Sequence, residues 1–226
     1  MTRPLLLDLF CGAGGAAKGY HDAGFDVIGV DIEPQPHYPY TFVQADAMTY
    51  PLDGIDAIHA SPPCQFFTQM RASWRAQGVN DGYVDLLTPT IERFASLTIP
   101  WVIENVVGAG SVMGATLALH GGMFGLGVHR PRLFRSNVLI LAPAAPIKRK
   151  PIGVYDRGPR KVTHFRTRLN GNGKGRSEMR IARTLEEAQQ VMGMEWGDWH
   201  GVKEAIPPAY TRLIGEQLMA AIAVVA

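Results

Sequence analysis

"DLFCGAGGAAKGYHDAGFDVIGVD", Asp8 to Asp31, decides the fold. It begins inside an apolar run, "LLLDLF" (5–10), that reads as a buried strand, turns at Gly12 to Gly15 and continues with helical spacing from Ala16 to Asp22. A second apolar run, "FDVIGVD" (25–31), reads as the next strand. A strand that feeds a glycine turn and then a helix leaves free backbone N–H groups at a positive helix end, and the glycines let a ligand approach the backbone. Asp31 ends the second strand 19 residues after Gly12, where a carboxylate can take both hydroxyls of a ribose. Asp46, ending a third strand "TFVQAD" (41–46), is placed to accept from an adenine amino group, and Phe10 offers a ring face. The combination points to a nucleoside cofactor.

Outward from this unit the alternation continues. "DAIHAS" (56–61) and "WVIENV" (101–106) read as strands, Tyr83 to Leu97 as a helix between them, and Pro131 to Ile140 as strand with a turn near Ser136. Thr184 to Met192 and Tyr210 to Val224 read as helices that rejoin the main domain. Short apolar runs alternating with helical patterns predict an α/β fold with a largely parallel sheet. A chain of 226 residues, 46% apolar and 19% charged, can bury one substantial core. No segment offers the roughly 20 apolar residues of a membrane span. The N-terminus lacks a basic region, apolar core and small-residue cleavage site, so a cytoplasmic location is expected. Cys11 and Cys64 lie too far apart for a CxxC pair, and the seven histidines show no metal-ligand spacing, so neither a disulfide framework nor a metal site is expected.

The net charge of +2 is unevenly distributed. Lys148 to Arg180 hold 11 of the 22 Lys and Arg against Asp156 and Glu178, a local balance of +9; the remainder, 11 basic against 18 acidic, stands at −7. An acidic body with a basic insert, interleaved with Tyr155 and Phe165, suits a polyanion such as nucleic acid.

The chemistry gathers at "SPPCQ" (61–65). Cys64 follows the fourth strand, at the sheet edge where open α/β folds hold their ligands, and Pro62 and Pro63 stiffen its loop. A thiolate there suits a substrate activated by covalent addition. Glu104 and Asn105 end a neighbouring strand, where a carboxylic acid can share a proton with a ring nitrogen. "RPRLF" (130–134) adds Arg130 and Arg132, two cations on one strand face.

These stretches together resemble the cytosine-C5 DNA methyltransferase family. "DLFCGAGG" is similar to its cofactor motif, "SPPCQ" to its catalytic loop, "ENV" and "RPRLF" to its acid and arginine signatures. "RTLEEAQQVMGM" (183–194) and "AIPPAYTRLIGEQL" (205–218) are similar to its later motifs, all in family order. The resemblance implies a Rossmann-like S-adenosylmethionine methyltransferase fold: residues 1–142 as catalytic and cofactor-binding domain, 143–180 as a small basic target-recognition region, and 181–226 as a segment returning to the catalytic domain. It implies S-adenosylmethionine held by Phe10, Gly12, Gly14, Asp31, Ile32, Asp46, Ala47 and Pro62, and double-stranded DNA as partner. A flipped-out cytosine would be attacked at C6 by Cys64, with Glu104 holding N3 in protonated form. Asn105 would orient Glu104 and the loop, Arg132 would contact the O2 region of the base, and Arg130 would lie near the thiolate. The loop from Gln65 to Gly82, with Arg71, would close over the DNA, and Arg157, Arg160, Lys161, Arg166, Arg168, Lys174 and Arg176 would meet it from the insert.

The sequence departs from the family in three places. The insert is small, so few base edges are read. Val128 replaces a Gln, and Lys203-Glu204 stands where Gly-Asn normally precedes the Pro-Pro pair, which implies altered cofactor affinity, a charged variant of the donor, or side chains that simply pair with each other or face solvent. Three other functions fit part of the pattern: the same chemistry on RNA, because a tRNA-modifying branch shares "SPPCQ" and "ENV"; a catalytically silent nucleic-acid-binding relative; and a thymidylate-synthase-like enzyme, which would not need the glycine turn with Asp31.

Overall fold

The computed structural model describes residues 2–67, 82–114, 117–144, 152–154 and 180–225. Seven strands form one sheet: β1 (Leu5–Leu9), β2 (Asp26–Asp31), β3 (Thr41–Gln44), β4 (Ala57–Ala60), β5 (Trp101–Asn105), β6 (Leu117–Leu119) and β7 (Arg132–Ser136). Their order is β3-β2-β1-β4-β5-β7-β6. The first five are parallel, and β7 runs antiparallel to both β5 and β6. The chain moves outward from β1 through β2 to β3, then returns to place β4 on the other side of β1. This reversal opens a crevice at the carboxyl ends of β1 and β4, the place where such sheets bind ligands.

β1 is apolar at nearly every position because a central parallel strand is covered on both faces. Leu6 faces one core, with Tyr20, Val102, Tyr210, Ile214 and Leu218; Leu7 and Leu9 face the other, with Ile58, Phe94, Ile103 and Met113. The first core is capped by α1 (Gly15–Ala23) and α6 (Pro208–Val225), the second by α2 (Leu87–Phe94) and α3 (Gly110–Met113). A third cluster joins α4 (Leu185–Met192) and α5 (Trp199–Glu204) to Val128 and Val154, beside the short pair β8 (Ile152–Gly153) and β9 (Arg180–Ile181). α4 starts where Thr184 accepts from the Glu187 N–H while the Glu187 carboxylate accepts from the Arg183 N–H, a reciprocal cap.

Two sequence expectations are corrected. The helix expected from Tyr83 to Leu97 is confined to Leu87–Phe94, because the Asp85 carboxylate accepts from the Leu87 and Thr88 N–H groups and starts the helix there. The strand expected from Pro131 to Ile140 is confined to Arg132–Ser136; beyond the Ser136 turn the chain is irregular and Leu139 is 83% exposed. Arg130 therefore lies ahead of the strand and not within it.

Candidate active site

The glycine turn, the end of β2, the loop after β3, the "SPPCQ" loop, the end of β5 and the start of β7 meet along the same sheet edge. Gly12 (φ 48°) and Gly14 (φ 81°) take left-handed conformations. Beyond the Gly12 Cα, a side chain would meet open space, so the backbone there is accessible to a ligand. Phe10 also has positive φ, 56°, alone among the described non-glycine residues. Asp31 Oδ2 accepts from the Gly12 N–H and Oδ1 from the Glu33 N–H, each at 3.0 Å, which ties the β2 end to the turn and leaves lone pairs on both oxygens. Ile32 beside it is 65% exposed, an apolar surface at the mouth of the crevice. Asp46 Oδ1 accepts from the Met48 N–H at 2.8 Å, and the loop it begins is held from below by Arg93, which donates to the Ala47 and Tyr50 carbonyls. Two carboxylates at adjacent strand ends, an exposed apolar side chain and an open glycine backbone fit the ribose and base of a nucleoside.

On the other side of β1, Ser61 N–H donates to the Leu9 carbonyl and carries the ladder into the cysteine loop. Asn105 is buried; its Nδ2 donates to the Pro62 carbonyl at 3.0 Å, and its Oδ1 accepts from the Val106 N–H. The Cys64 carbonyl accepts from Phe67 N–H, forming a single 3₁₀ turn, Gln65–Phe67. Gly108 packs under this turn, where any side chain would stand 2.2 Å from the Phe67 oxygen. Cys64, half-buried, is thus held by β5 and the segment after it.

Glu104 is buried, with Arg132 Nε 2.8 Å from its Oε1. Among the described residues Oε1 has this charge contact and no hydrogen-bond partner. Burial pushes Glu104 above the ordinary carboxylate range, against the pull of Arg132 and Arg130. Burial and the Glu104 charge likewise raise the Cys64 thiol, and Arg132 and Arg130 oppose them. Arg130 is itself buried: its Nε donates to the Ala205 carbonyl, and its own carbonyl accepts from the Tyr210 hydroxyl at 2.8 Å. It braces the C-terminal segment while its charge reaches Cys64. Lys203 and Glu204 form an ion pair at 3.5 Å, and the charge of Glu204 also raises Cys64.

Of the residues expected to contact nucleic acid, Gln65 lies beside Cys64, whereas Arg71, Arg157, Arg160, Lys161, Arg166, Arg168, Lys174 and Arg176 lie outside the described residues. The sequence reading missed His59 and Tyr20, whose side chains lie directly behind Ser61; a histidine inside the otherwise apolar "AIHA" was the available signal. The Trp196 indole N–H donates to the Ala13 carbonyl at 2.7 Å and fastens the glycine turn.

No family model matches the chain. The type II methyltransferase M.XorII of Xanthomonas oryzae pv. oryzae is 57% identical over 35 residues, which are 15% of this chain and 8% of that relative's length. Among solved structures, a protein of an E. coli prophage assigned as a DNA modification methyltransferase aligns with TM-score 0.64 and 15% identity over 97% of this chain and 99% of its own. The Entamoeba histolytica methyltransferase EhMeth aligns with TM-score 0.59 and 10% identity over 98% of this chain and 99% of its own. Dnmt2 of S. pombe aligns with TM-score 0.58 and 14% identity over 97% and 99%. The mostly parallel seven-stranded sheet and its flanking helices are therefore the Rossmann-like methyltransferase fold, shared with these structures over nearly the whole chain.

Proposed function

We propose that this protein methylates C5 of cytosine in double-stranded DNA through a Cys64 adduct at C6, with S-adenosylmethionine as donor. The observation that carries the reading is the convergence of Cys64, a buried Glu104 and Arg132 at the sheet edge that also holds the glycine turn and Asp31. In this reading residues 1–142 and 181–226 form the catalytic body, and 143–180 read the target. The similarity to methyltransferases named for DNA modification supports the substrate class.

Bound at the turn, S-adenosylmethionine would supply an electron-poor methyl group; Asp31, Asp46, Phe10 and Ile32 would hold its nucleoside part, beside Gly12, Gly14, Ala47 and Pro62. The Cys64 thiolate forms the S–C6 bond, and the displaced ring electrons are accommodated as Glu104 gives its proton to N3, which leaves C5 nucleophilic. After methylation, loss of the C5 proton to a base and β-elimination of the thiolate restore the ring and return Cys64. Glu104 is suited to the acid role because burial favours its neutral form, and a neutral Glu104 ceases to repel the thiolate. Arg132 stabilises whichever partner carries the negative charge. Asn105 keeps Cys64 in reach by holding the Pro62 carbonyl.

The test is mass spectrometry of the protein after incubation with labelled S-adenosylmethionine and a duplex in which cytosines are replaced by 5-fluorocytosine. Fluorine cannot leave as a proton does, so a covalent, methyl-bearing adduct on Cys64 is expected, and Cys64→Ser should abolish it. An adduct on tRNA and not on duplex DNA would transfer the same chemistry to RNA. No adduct on either, with both ligands bound, would overturn C5 methylation.

A further inference from the structure

Three of the four residues in the turn from Gly12 to Gly15 are covered by other parts of the chain. A Cβ at Gly14 would stand 2.7 Å from Pro39 Cδ and 2.9 Å from Tyr38 Cδ2, and one at Gly15 would stand 2.3 Å from the Ile206 carbonyl oxygen. Ala13 is buried, and α5 lies so near that a Cβ at Gly201 would stand 2.7 Å from the Ala13 Cβ. A Cβ at Gly12 would meet nothing within 4 Å, so a ligand reaches the turn over Gly12.

The Ala13–Gly14 peptide beside that opening is held at both ends. The Ala13 carbonyl and the Gly14 N–H belong to one planar unit and turn together. The Gly14 N–H donates to the Cys11 carbonyl at 3.1 Å, and the Ala13 carbonyl accepts from the Trp196 indole N–H at 2.7 Å. Gly14 has a left-handed φ of 81° and, as a glycine, can leave it at little cost, so the peptide has an easy rotation that these two bonds oppose. The first bond is local to the turn. The second comes from 183 positions away, and its donor is itself fixed. Trp196 packs against the third core cluster, and Gln189 Nε2 donates at 3.0 Å to the carbonyl of the next residue, Gly197. An indole has a single N–H, and this one is committed to the turn.

We infer that Trp196 is a positioning residue for the cofactor: its N–H keeps the Ala13–Gly14 peptide in one orientation, so that the turn meets the donor already in its bound form. This rests on the reading of the turn as the S-adenosylmethionine site. To that reading it adds a residue from the segment after the insert, one that acts on the ligand only through the turn. Without the N–H the free turn spreads over more than one orientation, and binding has to restore the competent one, which weakens affinity in proportion to the protein that is not competent.

The experiment is equilibrium binding of S-adenosylmethionine, without DNA, to the whole chain and to two variants. Trp196→Phe keeps an aromatic ring and removes the donor; benzothienylalanine at the same position keeps the full bicyclic outline, with sulfur in place of the N–H. Both should weaken S-adenosylmethionine about 3- to 10-fold, the worth of one hydrogen bond. The duplex dissociation constant, and the single-turnover rate of the Cys64 adduct at saturating S-adenosylmethionine, should stay unchanged, so that the loss lies in binding and not in the chemical step. A benzothienylalanine protein that binds S-adenosylmethionine as tightly as the unaltered one would overturn the inference, because packing alone would then account for Trp196. A fall in duplex affinity or in the saturated rate as large as the fall in S-adenosylmethionine affinity would overturn it as well, because Trp196 would then be holding the fold at large. If Trp196→Phe does not fold, the benzothienylalanine protein, which keeps the packing, decides. Failure of the unaltered protein to bind S-adenosylmethionine is a different result, and overturns the donor reading itself.

Discussion

Cys64 and Glu104 do not both ionise cheaply at this distance from solvent. Each is raised by burial, the Glu104 charge raises Cys64 further, and Arg132 lowers both. Addition to C6 requires the thiolate beside the neutral acid, one of the two ways the pair can carry a single negative charge, and the Arg132 cation stabilises that charge on either group. Arg132 thereby sets where on the pH scale the pair works. Adduct formation should rise and then fall with pH, because the competent state of the pair holds one proton, fewer than the fully protonated pair and more than the fully ionised one. Arg132→Gln removes a cation that lowers both groups, so both limbs should move to higher pH, with about a tenfold loss at neutral pH for each unit that the rising limb moves. Arg132→Lys keeps the charge and should leave the profile near its original position. Measuring the single-turnover adduct rate across pH for the three proteins checks this; a profile that Arg132→Gln does not move would mean that the thiol does not feel the guanidinium.

The elements differ in how plainly the sequence announces them. β1, α1 and β2 follow from "LLLDL", a glycine turn and "DVIGVD" because their residues are buried by period, and periodicity is a property of the chain alone. The start of α2 depends on Asp85 capping two N–H groups, which helical spacing from Tyr83 onward conceals. α5 and β6, six and three residues long, are too short to show a period and owe their form to Asp198 capping Gly201 and to pairing with β7. The contact of α1 with α6 is legible only in three dimensions, since it joins residues nearly 200 apart through glycines. A Cβ at Gly19 would stand 2.1 Å from Thr211 Oγ1 and 2.2 Å from the Pro208 carbonyl, and Thr211 already donates to the Ala16 carbonyl. Gly19→Ala gains about 0.5–1 kcal/mol in helix preference but overpacks a filled contact, typically by about 1–3 kcal/mol, and puts the Thr211 bond at risk. Net destabilisation is expected in urea unfolding. Gly110→Ala, whose Cβ meets only Leu133 Cδ1 at 3.5 Å, should be close to neutral.

Across the whole molecule, the site was legible where motif residues end strands and illegible where one strand's register or a distant segment decides. Cys64, Glu104 and Arg132 meet as the strand order predicts, whereas Arg130 needed Ala205 and Tyr210 to show its place, and His59 needed Tyr20. Charge is the one property of the molecule that is legible without any structure: the 33 residues from Lys148 to Arg180 stand at +9 while the rest stands at −7. An acidic body repels a duplex, so affinity must come from the insert and must be paid back in released counterions. For each phosphate contact the logarithm of the binding constant falls by about 0.9 per tenfold rise in salt. Replacing Arg157, Arg160 and Lys161 by Gln should therefore flatten the salt dependence of duplex binding by about 0.9 for each residue that meets a phosphate, and weaken binding similarly on unrelated sequences. The same variant, saturated with DNA at low salt, should form the Cys64 adduct at the unaltered rate, because none of the three charges belongs to the Cys64, Glu104 and Arg132 cluster. Fluorescence anisotropy between low and physiological salt measures the slope. A slope unchanged by removing three cations would place the DNA contacts elsewhere on the protein, and a lost adduct at saturation would mean that the insert acts on the base as well as on the backbone.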